Sequence, residues 1–439
     1  MATRSRRGLA IVFAVVFLDL LGFGIIIPIL PYYTRTFPGG TEFVIGLLAA
    51  SYSLMQFVFA PLLGSLSDRI GRRPVIVVSL GGSVIAWTVF GLADALWLLF
   101  LSRMLAGAMG GNLSTAQAYV ADVTPREERA KSLGLLGAAF GLGFIFGPGI
   151  GAVLSFDGVV AAVDGLVPVV AITRFSLPSF AAAAASLCGV VVTLLFLPES
   201  LPAPARGDET TRRPSQIAQL VTAVRTTGLR ELLAAFFLVS FAFSGVQIMF
   251  IPFVADVYGY TASQSALLLT YIGVLSVVVQ GVLIGRLTAR YATVSLTVGG
   301  TAVLAVGVGL LPFTNWLGAS VFDLTGVAPF LTGELLALLA VLTLLPLGNG
   351  VLSVTLTTIV SQRASAATQG SAFGLTQGAG SLARTVGPIV MGGLYTVVGY
   401  WSPFVVGAVL LVPVGVLVLR LGNAPEPPEP RPVDPGHVR

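Results

Sequence analysis

Long apolar runs, cut at intervals by short clusters of charge, glycine and proline, set the pattern of this chain. Twelve runs are long enough to read as helices: 8–31, 43–66, 75–94, 97–120, 132–155, 176–197, 230–255, 263–288, 294–313, 334–360, 370–396 and 399–421. A helix needs roughly 20 mainly apolar residues to cross a bilayer, and lipid tolerates only helices or closed barrels. A barrel would alternate polar and apolar positions over short segments, so the pattern predicts an all-α integral membrane protein. Two further segments compete. Residues 158–172 are apolar but short and contain Asp164, and residues 314–333 contain Asn315, Asp323, Gly326 and Pro329. Both read as external loops or reentrant caps; counting the first as a span would make thirteen.

Composition agrees. Charged residues are 10% and hydrophobic residues 55%, with mean hydropathy +0.94, against about a quarter charged in soluble domains. Charge placement then tests the span count. With both termini inside, 20 of the 24 basic residues fall on cytoplasmic segments, Arg35 and Arg174 fall outside, and Arg103 and Arg384 fall within spans. That is the positive-inside distribution, and a span at 158–172 would invert every later loop. The net charge of +5 therefore reports topology and contact with anionic lipid, and no nucleic-acid partner is implied. The first run follows Arg4-Ser-Arg-Arg but contains Asp19 and ends in Pro28 and Pro31 without a small-residue cleavage site, so it reads as a retained helix. Cys188 is the single cysteine and His437 the single histidine, which excludes an internal disulfide and a cysteine-based metal site.

The chain divides into residues 1–197, a polar linker at 198–229, residues 230–421 and a proline-rich tail at 422–439, read as a disordered cytoplasmic segment. The two long parts repeat. Gly134-Leu135 and Gly147-Pro148 match Gly374-Leu375 and Gly387-Pro388 at an offset of 240. Gly64-Ser-Leu-Ser-Asp68-Arg69 matches Gly285-Arg-Leu-Thr-Ala289-Arg290 at 221. The two offsets differ by 19 residues, about the length of the loop at 314–333. Two parallel six-helix halves with a site between them near the midplane is a transporter plan. Ala289 stands where the first copy has Asp68, so the first copy is expected to hold the stronger gate.

The segment Gly64-Ser-Leu-Ser-Asp68-Arg69-Ile-Gly71-Arg72-Arg73 resembles the helix 2–3 loop of the major facilitator superfamily, Gly-x3-Asp-Arg-x-Gly-Arg-Arg, at every defining position. Positive-inside anchoring accounts for the arginines but not for Asp68. A carboxylate is favoured at a helix N-terminus, and the resemblance implies that this helix is the eleventh span. Asp122 is expected to face Arg69 or Arg73, making a cytoplasmic gate of Gly64, Asp68, Arg69, Gly71, Arg72, Arg73 and Asp122.

Asp19 lies within the first span, in Leu18-Asp19-Leu-Leu-Gly-Phe-Gly. A carboxylate there costs about 3 kcal/mol on insertion scales, so it must face a cavity or a partner. Burial penalises the charged form of a carboxyl, which suits Asp19 to binding and releasing a proton; a purely structural hydrogen bond is the other reading. This segment resembles helix 1 of drug:proton antiporters, tetracycline exporters among them, whose matching acid is functional. Arg103 begins Arg103-Met-Leu-Ala106-Gly107, similar to the family's Arg-x-x-Gln-Gly with Ala106 for glutamine; there the arginine influences proton release. Snorkelling to an interface is its alternative. Gly134, Gly143, Gly147, Pro148 and Gly151 lie close to the antiporter motif of drug exporters, with Ala152 for its last glycine. Small residues at this spacing also serve close helix packing. Tyr52, Gln56, Asn112, Gln117, Tyr119, Gln247, Gln280, Asn349, Gln377 and Arg384 are further cavity candidates, since polar groups in spans usually face the protein interior.

No phosphate-binding loop, metal-ligand cluster or nucleophile–base pair is present in the sequence, so neither an enzyme nor a cofactor is expected. The resemblance implies a monomeric secondary transporter of the cell membrane, with protons as coupling ion, membrane lipid as surroundings and an amphipathic small molecule or drug as the exported substrate. Uptake or exchange of a metabolite or organic anion, with Arg384 gripping the acid, is the alternative; a non-transporting membrane sensor on the same frame is a third. Tetracycline exporters have a histidine in helix 8 and an acid in helix 9. Spans 8 and 9 here have neither, which argues against tetracycline–metal export.

Overall fold

The computed structural model describes residues 2–125, 128–165, 171–201, 229–319, 332–363 and 369–423. Most of the linker, nearly all of the tail and much of the 314–333 loop lie outside the described residues. Each of the twelve sequence-predicted spans is helical. In the first half these are α1 (Ala2–Ile26), continued by the short α2 (Leu30–Arg35), then α3 (Glu42–Ile70), α4 (Arg72–Gly91), α5 (Leu96–Met109) with α6 (Asn112–Val123), α7 (Arg129–Leu154) and, after the short α8 (Asp157–Asp164), α9 (Ser176–Phe196). The second half comprises α10 (Leu229–Tyr258), α11 (Ala262–Val278) with α12 (Ile284–Thr288), α13 (Thr293–Leu310), the short α14 (Thr314–Gly318), α15 (Gly333–Arg363), α16 (Gln369–Val397) and α17 (Ser402–Asn423).

Three spans are interrupted. Proline cannot donate a backbone hydrogen bond, and Pro28 with Pro31 breaks the first span between α1 and α2. Gly110 and Gly111 break the fourth between α5 and α6. A π-helical turn at Val279–Leu283 separates α11 from α12. The segment read as a cap after the fifth span is α8, bent by 67° from α7.

Among the described residues, ten helical segments are long and apolar enough to cross a membrane, and α7 with α8 makes an eleventh. The twelfth, α16, is 29 residues long but rich in glycine, serine and threonine. It packs against α3 on one side and α10 on the other, so much of its surface meets protein, where small residues allow close approach.

The repeat is visible in the backbone. Gly39 and Gly259 both have positive φ, 79° and 66°, and two residues later Thr41 and Thr261 cap the helices that follow, accepting from Val44 N and Gln264 N. Each second-copy residue lies 220 positions after its counterpart. Within the first half, α1 packs on α7 and α9, and α4 on α5 and α9. Within the second, α10 packs on α16 and α17, and α13 on α15 and α17. The halves meet through two exchanged pairs, α3 with α16 and α7 with α11.

The first pair meets near the start of α3 and the end of α16, the end of the molecule that holds Arg35. A Cβ on Gly46 would lie 2.2 Å from the Pro388 carbonyl oxygen, and one on Gly392 would lie 2.5 Å from the Glu42 carbonyl oxygen. Glycine is required at both points, because backbone touches backbone.

Candidate functional site

Between the halves lies a cavity of about 670 Å³, within the usual range for small-molecule sites. Its walls come from α1 to α7, α10 and α16; none of its lining residues belongs to α11, α13, α15 or α17. Among the described residues, Asp19, Arg103 and Arg384 are its charged side chains.

Asp19 projects from α1 to where α4 and the start of α6 converge. Ser83 donates to its Oδ1 at 3.3 Å and Asn112 Nδ2 donates to its Oδ2 at 3.4 Å. Neither partner is cationic. Asn112 reaches Asp19 because the Gly110–Gly111 break restarts the helix there, placing the N-terminus of α6 at the carboxylate, where a helix favours negative charge.

Arg103 is 4% exposed and rests between two aromatic faces, 4.5 Å from the Tyr52 ring centroid and 5.6 Å from that of Phe23. Its Nε is buried without a hydrogen-bond partner. The aromatic faces attract its charge, and it points into the cavity rather than to an interface. Arg384 hydrogen-bonds Ser381 at 3.0 Å; among the described residues no carboxylate forms an ion pair with either arginine.

Gly143, Gly147 and Gly151 all face α1, the helix of Asp19. A Cβ on Gly147 would lie 2.6 Å from Gly24 Cα, one on Gly143 2.8 Å from Leu20 Cβ, and one on Gly151 2.9 Å from the Ile25 carbonyl oxygen. Pro148 lies inside the same helix. The motif seats α7 against the helix that carries the intramembrane acid; Gly134 is on α7, outside the residues whose side chains are described.

Of the polar candidates, Tyr52, Gln56, Asn112, Gln117, Gln247, Gln377 and Arg384 line the cavity. Tyr119 and Asn349 do not. Tyr119 is fully buried on the far face of α6, within an apolar cluster with Val12, Ile76 and Leu80, and its hydroxyl donates to the Pro198 carbonyl. Asn349 belongs to α15, which packs on α13 and α11 and gives nothing to the cavity. Gln280 sits on the π turn, also away from it.

At the far end of α3, Gly71 has φ 106°, which disfavours any side chain and explains the motif glycine. The neighbouring Arg72 is the hub of the charged cluster. Its Nη1 donates to Asp68 Oδ1 at 2.5 Å and to Ser67 Oγ at 2.6 Å, and its Nε donates to Asp122 Oδ2 at 3.1 Å. Asp122 therefore faces Arg72, correcting the expectation of Arg69 or Arg73, and Asp68 pairs one turn along its own loop. Arg73 donates to the Leu194 carbonyl, and Arg69 is exposed. Glu199 caps α4, accepting from the Arg72 and Arg73 backbone N–H groups at 2.9 and 3.2 Å. Gly64 faces Ser114 of α6.

The opposite end holds a latch that sequence reading missed. Arg35 makes a bidentate pair with Asp256 on α10, two bonds of 2.8 Å, and also donates to Glu42 on α3 at 2.6 Å. Tyr395 on α16 donates to Asp256 at 2.5 Å. Tyr32 donates to the Tyr260 carbonyl and lies 2.8 Å from Ser265 Oγ. Partial burial disfavours the charge on Arg35, but its bonds to Asp256 and Glu42 outweigh that and hold its pKa above the ordinary value. The available signal was that Arg35 is one of two arginines outside the basic face. Replacing Arg35 with alanine will raise the ratio of open to closed molecules at this end by about two- to fivefold, the pair being partly exposed and screened. Spin labels at Thr36 and Gln264 in a Cys188→Ser background will read this as longer distances.

Such a two-half helical frame around a charged central cavity defines a membrane transporter rather than an enzyme. The family model of the Major Facilitator Superfamily matches residues 12–333 and 316–438, and the chain belongs to that family. It is 31% identical over 422 residues to the class E tetracycline resistance protein of Escherichia coli, covering 94% of this chain and 95% of that one. It is 28% identical to multidrug resistance protein 1 of Bacillus subtilis (strain 168), covering 95% and 96%. The crystal structure of the human organic anion transporter MFSD10 shares the fold, with TM-score 0.65 and 24% identity over 94% of this chain and 99% of that one.

Proposed function

We propose that this protein is a proton-coupled exporter of amphipathic small molecules, acting as a monomer in the plasma membrane with both termini cytoplasmic. The observation that carries the reading is the setting of Asp19: a carboxyl in the central cavity held by two neutral donors, Ser83 and Asn112. It can gain or lose a proton without breaking an ion pair. The tetracycline and multidrug resistance relatives support export as the direction.

In this reading the Arg35 end is external and closed, and the Asp68 end is cytoplasmic. The ion pairs of the Asp68 cluster stay within the first half, as suits a cavity that loads from the cytoplasm. Rocking of the halves would break the Arg35–Asp256 pair and close the Asp68 end. Outside protons would then load Asp19, and Arg103 would tune their release through the polarity around it. Substrate contacts would come from Tyr52, Gln56, Gln117, Gln247 and Gln377.

The reading is tested by recording internal pH in sealed proteoliposomes while lipophilic cations, neutral drugs, organic anions and zwitterionic drugs are added outside. Exchange moves protons out as substrate enters. Protons entering together with an organic acid would instead establish co-transport, the uptake alternative, which the two arginines of the cavity favour.

A further inference from the structure

The cavity has an excess of positive charge, and one of its guanidinium groups carries an unmet donor. Arg103 lines it, is 4% exposed, and has no hydrogen-bond partner at Nε. Arg384, from the opposite half, shares the cavity with a serine as its hydrogen-bond partner. Against these two guanidinium groups stands, among the described residues, one carboxylate, Asp19, so these three groups together keep a positive charge even when Asp19 is ionised. A buried unsatisfied donor is costly, and a guanidinium is built for bidentate bonding to a carboxylate or a similar oxyanion. The donors therefore call for an acceptor-rich, anionic group.

An acid alone leaves the coupling unexplained. Its charge would repel ionised Asp19 and be bound more tightly once Asp19 is protonated, so proton and substrate would travel together. Exchange requires that they compete. A basic nitrogen paired with ionised Asp19 supplies that competition, because protonating Asp19 removes its counter-charge. The apolar walls are aliphatic and aromatic, and the aromatic ones cluster: the Phe23 ring lies 4.9 Å from that of Tyr52 and 6.0 Å from that of Phe144.

We propose that the substrates are amphipathic aromatic zwitterions. Arg103 and Arg384 take the acid, the aromatic walls take the ring body, and Asp19 takes the basic nitrogen. This rests on the proton-exchange reading above, and it assigns Arg103 and Arg384 to substrate recognition across the two halves. A simple cation meets two arginines that repel it, and a neutral drug leaves the donors unmet.

The test is equilibrium binding to the purified full-length protein in detergent, using one fluorescent naphthyl scaffold in four forms: acid with tertiary amine, acid alone, amine alone and neither. No proton gradient exists in micelles, so the outcome is independent of whether transport is coupled, which the proteoliposome measurement decides. The zwitterion is expected to bind about tenfold more tightly than the amine-only form, within the range for close charge pairs. Arg384→Gln should weaken the zwitterion and the acid by a similar factor and leave the uncharged form unchanged, which also reports intact folding. Arg384→Lys should restore part of the loss, since charge returns without the fork. Asp19→Asn should weaken the zwitterion and tighten the acid, from which it removes a repelling charge. Amine-only binding equal to that of the zwitterion and indifferent to Arg384→Gln would overturn the proposal, as would a loss spread evenly over all four forms.

Discussion

Asp19→Asn is expected to reduce substrate-driven proton movement to the level of empty vesicles while the protein still folds and binds an uncharged amphiphile. Asparagine is nearly the same shape and keeps an oxygen for Ser83 or Asn112, so the junction of α1, α4 and α6 has no reason to collapse. What it loses is the ability to exist in two charge states. The flanking donors cannot replace that, since neither a hydroxyl nor an amide titrates near neutral pH. A mutation that only disturbed packing would reduce binding and transport together. This one should separate them, and proton movement equal to that of the unaltered protein would remove Asp19 from the coupling step.

Gly46→Leu is expected to abolish transport by a mechanical route. The nearest neighbour of an added Cβ is the Pro388 carbonyl oxygen at 2.2 Å, and a backbone atom cannot swing aside as a side chain can. Overpacking a close contact costs about 1–3 kcal/mol, enough to shift a two-state population by roughly 5- to 150-fold. The strain exists only while α3 and α16 are pressed together, so it falls on the state described here and spares the one open at the Arg35 end. Spin-label distances across that end should lengthen and turnover should fall to background. Gly46→Ala should fall between. Unchanged distances in the leucine variant would mean that the contact is not part of the switch.

Much of the architecture was legible in the sequence because lipid imposes it: apolar runs of fixed length, basic residues on one side and glycines where helices must touch. Asp19 stood out because an acid in a span needs a reason. Relations between distant segments were not legible. Asp256 lies 221 residues from Arg35, at the end of a span where an acid is unremarked, and nothing local joins it to Glu42 or Tyr395. Ser83 looks like any small residue in a membrane helix until its neighbours are known. Three arginines crowd the Asp68 loop, and the turn at Gly71, which no residue pattern announces, decides that Arg72 meets both acids. Tyr119 and Asn349 were assigned to the cavity because polarity indicates a protein-facing side without saying which neighbour it meets. The low apolar content of α16 follows from its enclosure between α3 and α10.

The π turn at Val279–Leu283 acquires its sense from the repeat. Advanced by the 221-residue offset, Pro61 inside α3 falls on Val282, within that turn. The two exchanged interface helices thus carry a flaw in their hydrogen-bond ladders at the same height, one made by a missing donor and the other by an extra residue in the turn. Both are soft points at which a helix bends instead of tilting as a stiff rod. The copies differ in charge, as Ala289 opposite Asp68 shows, yet both interrupt the ladder here, by unrelated chemical means. A rocking motion that bends one of these helices at that height thus finds a matching place to bend in the other.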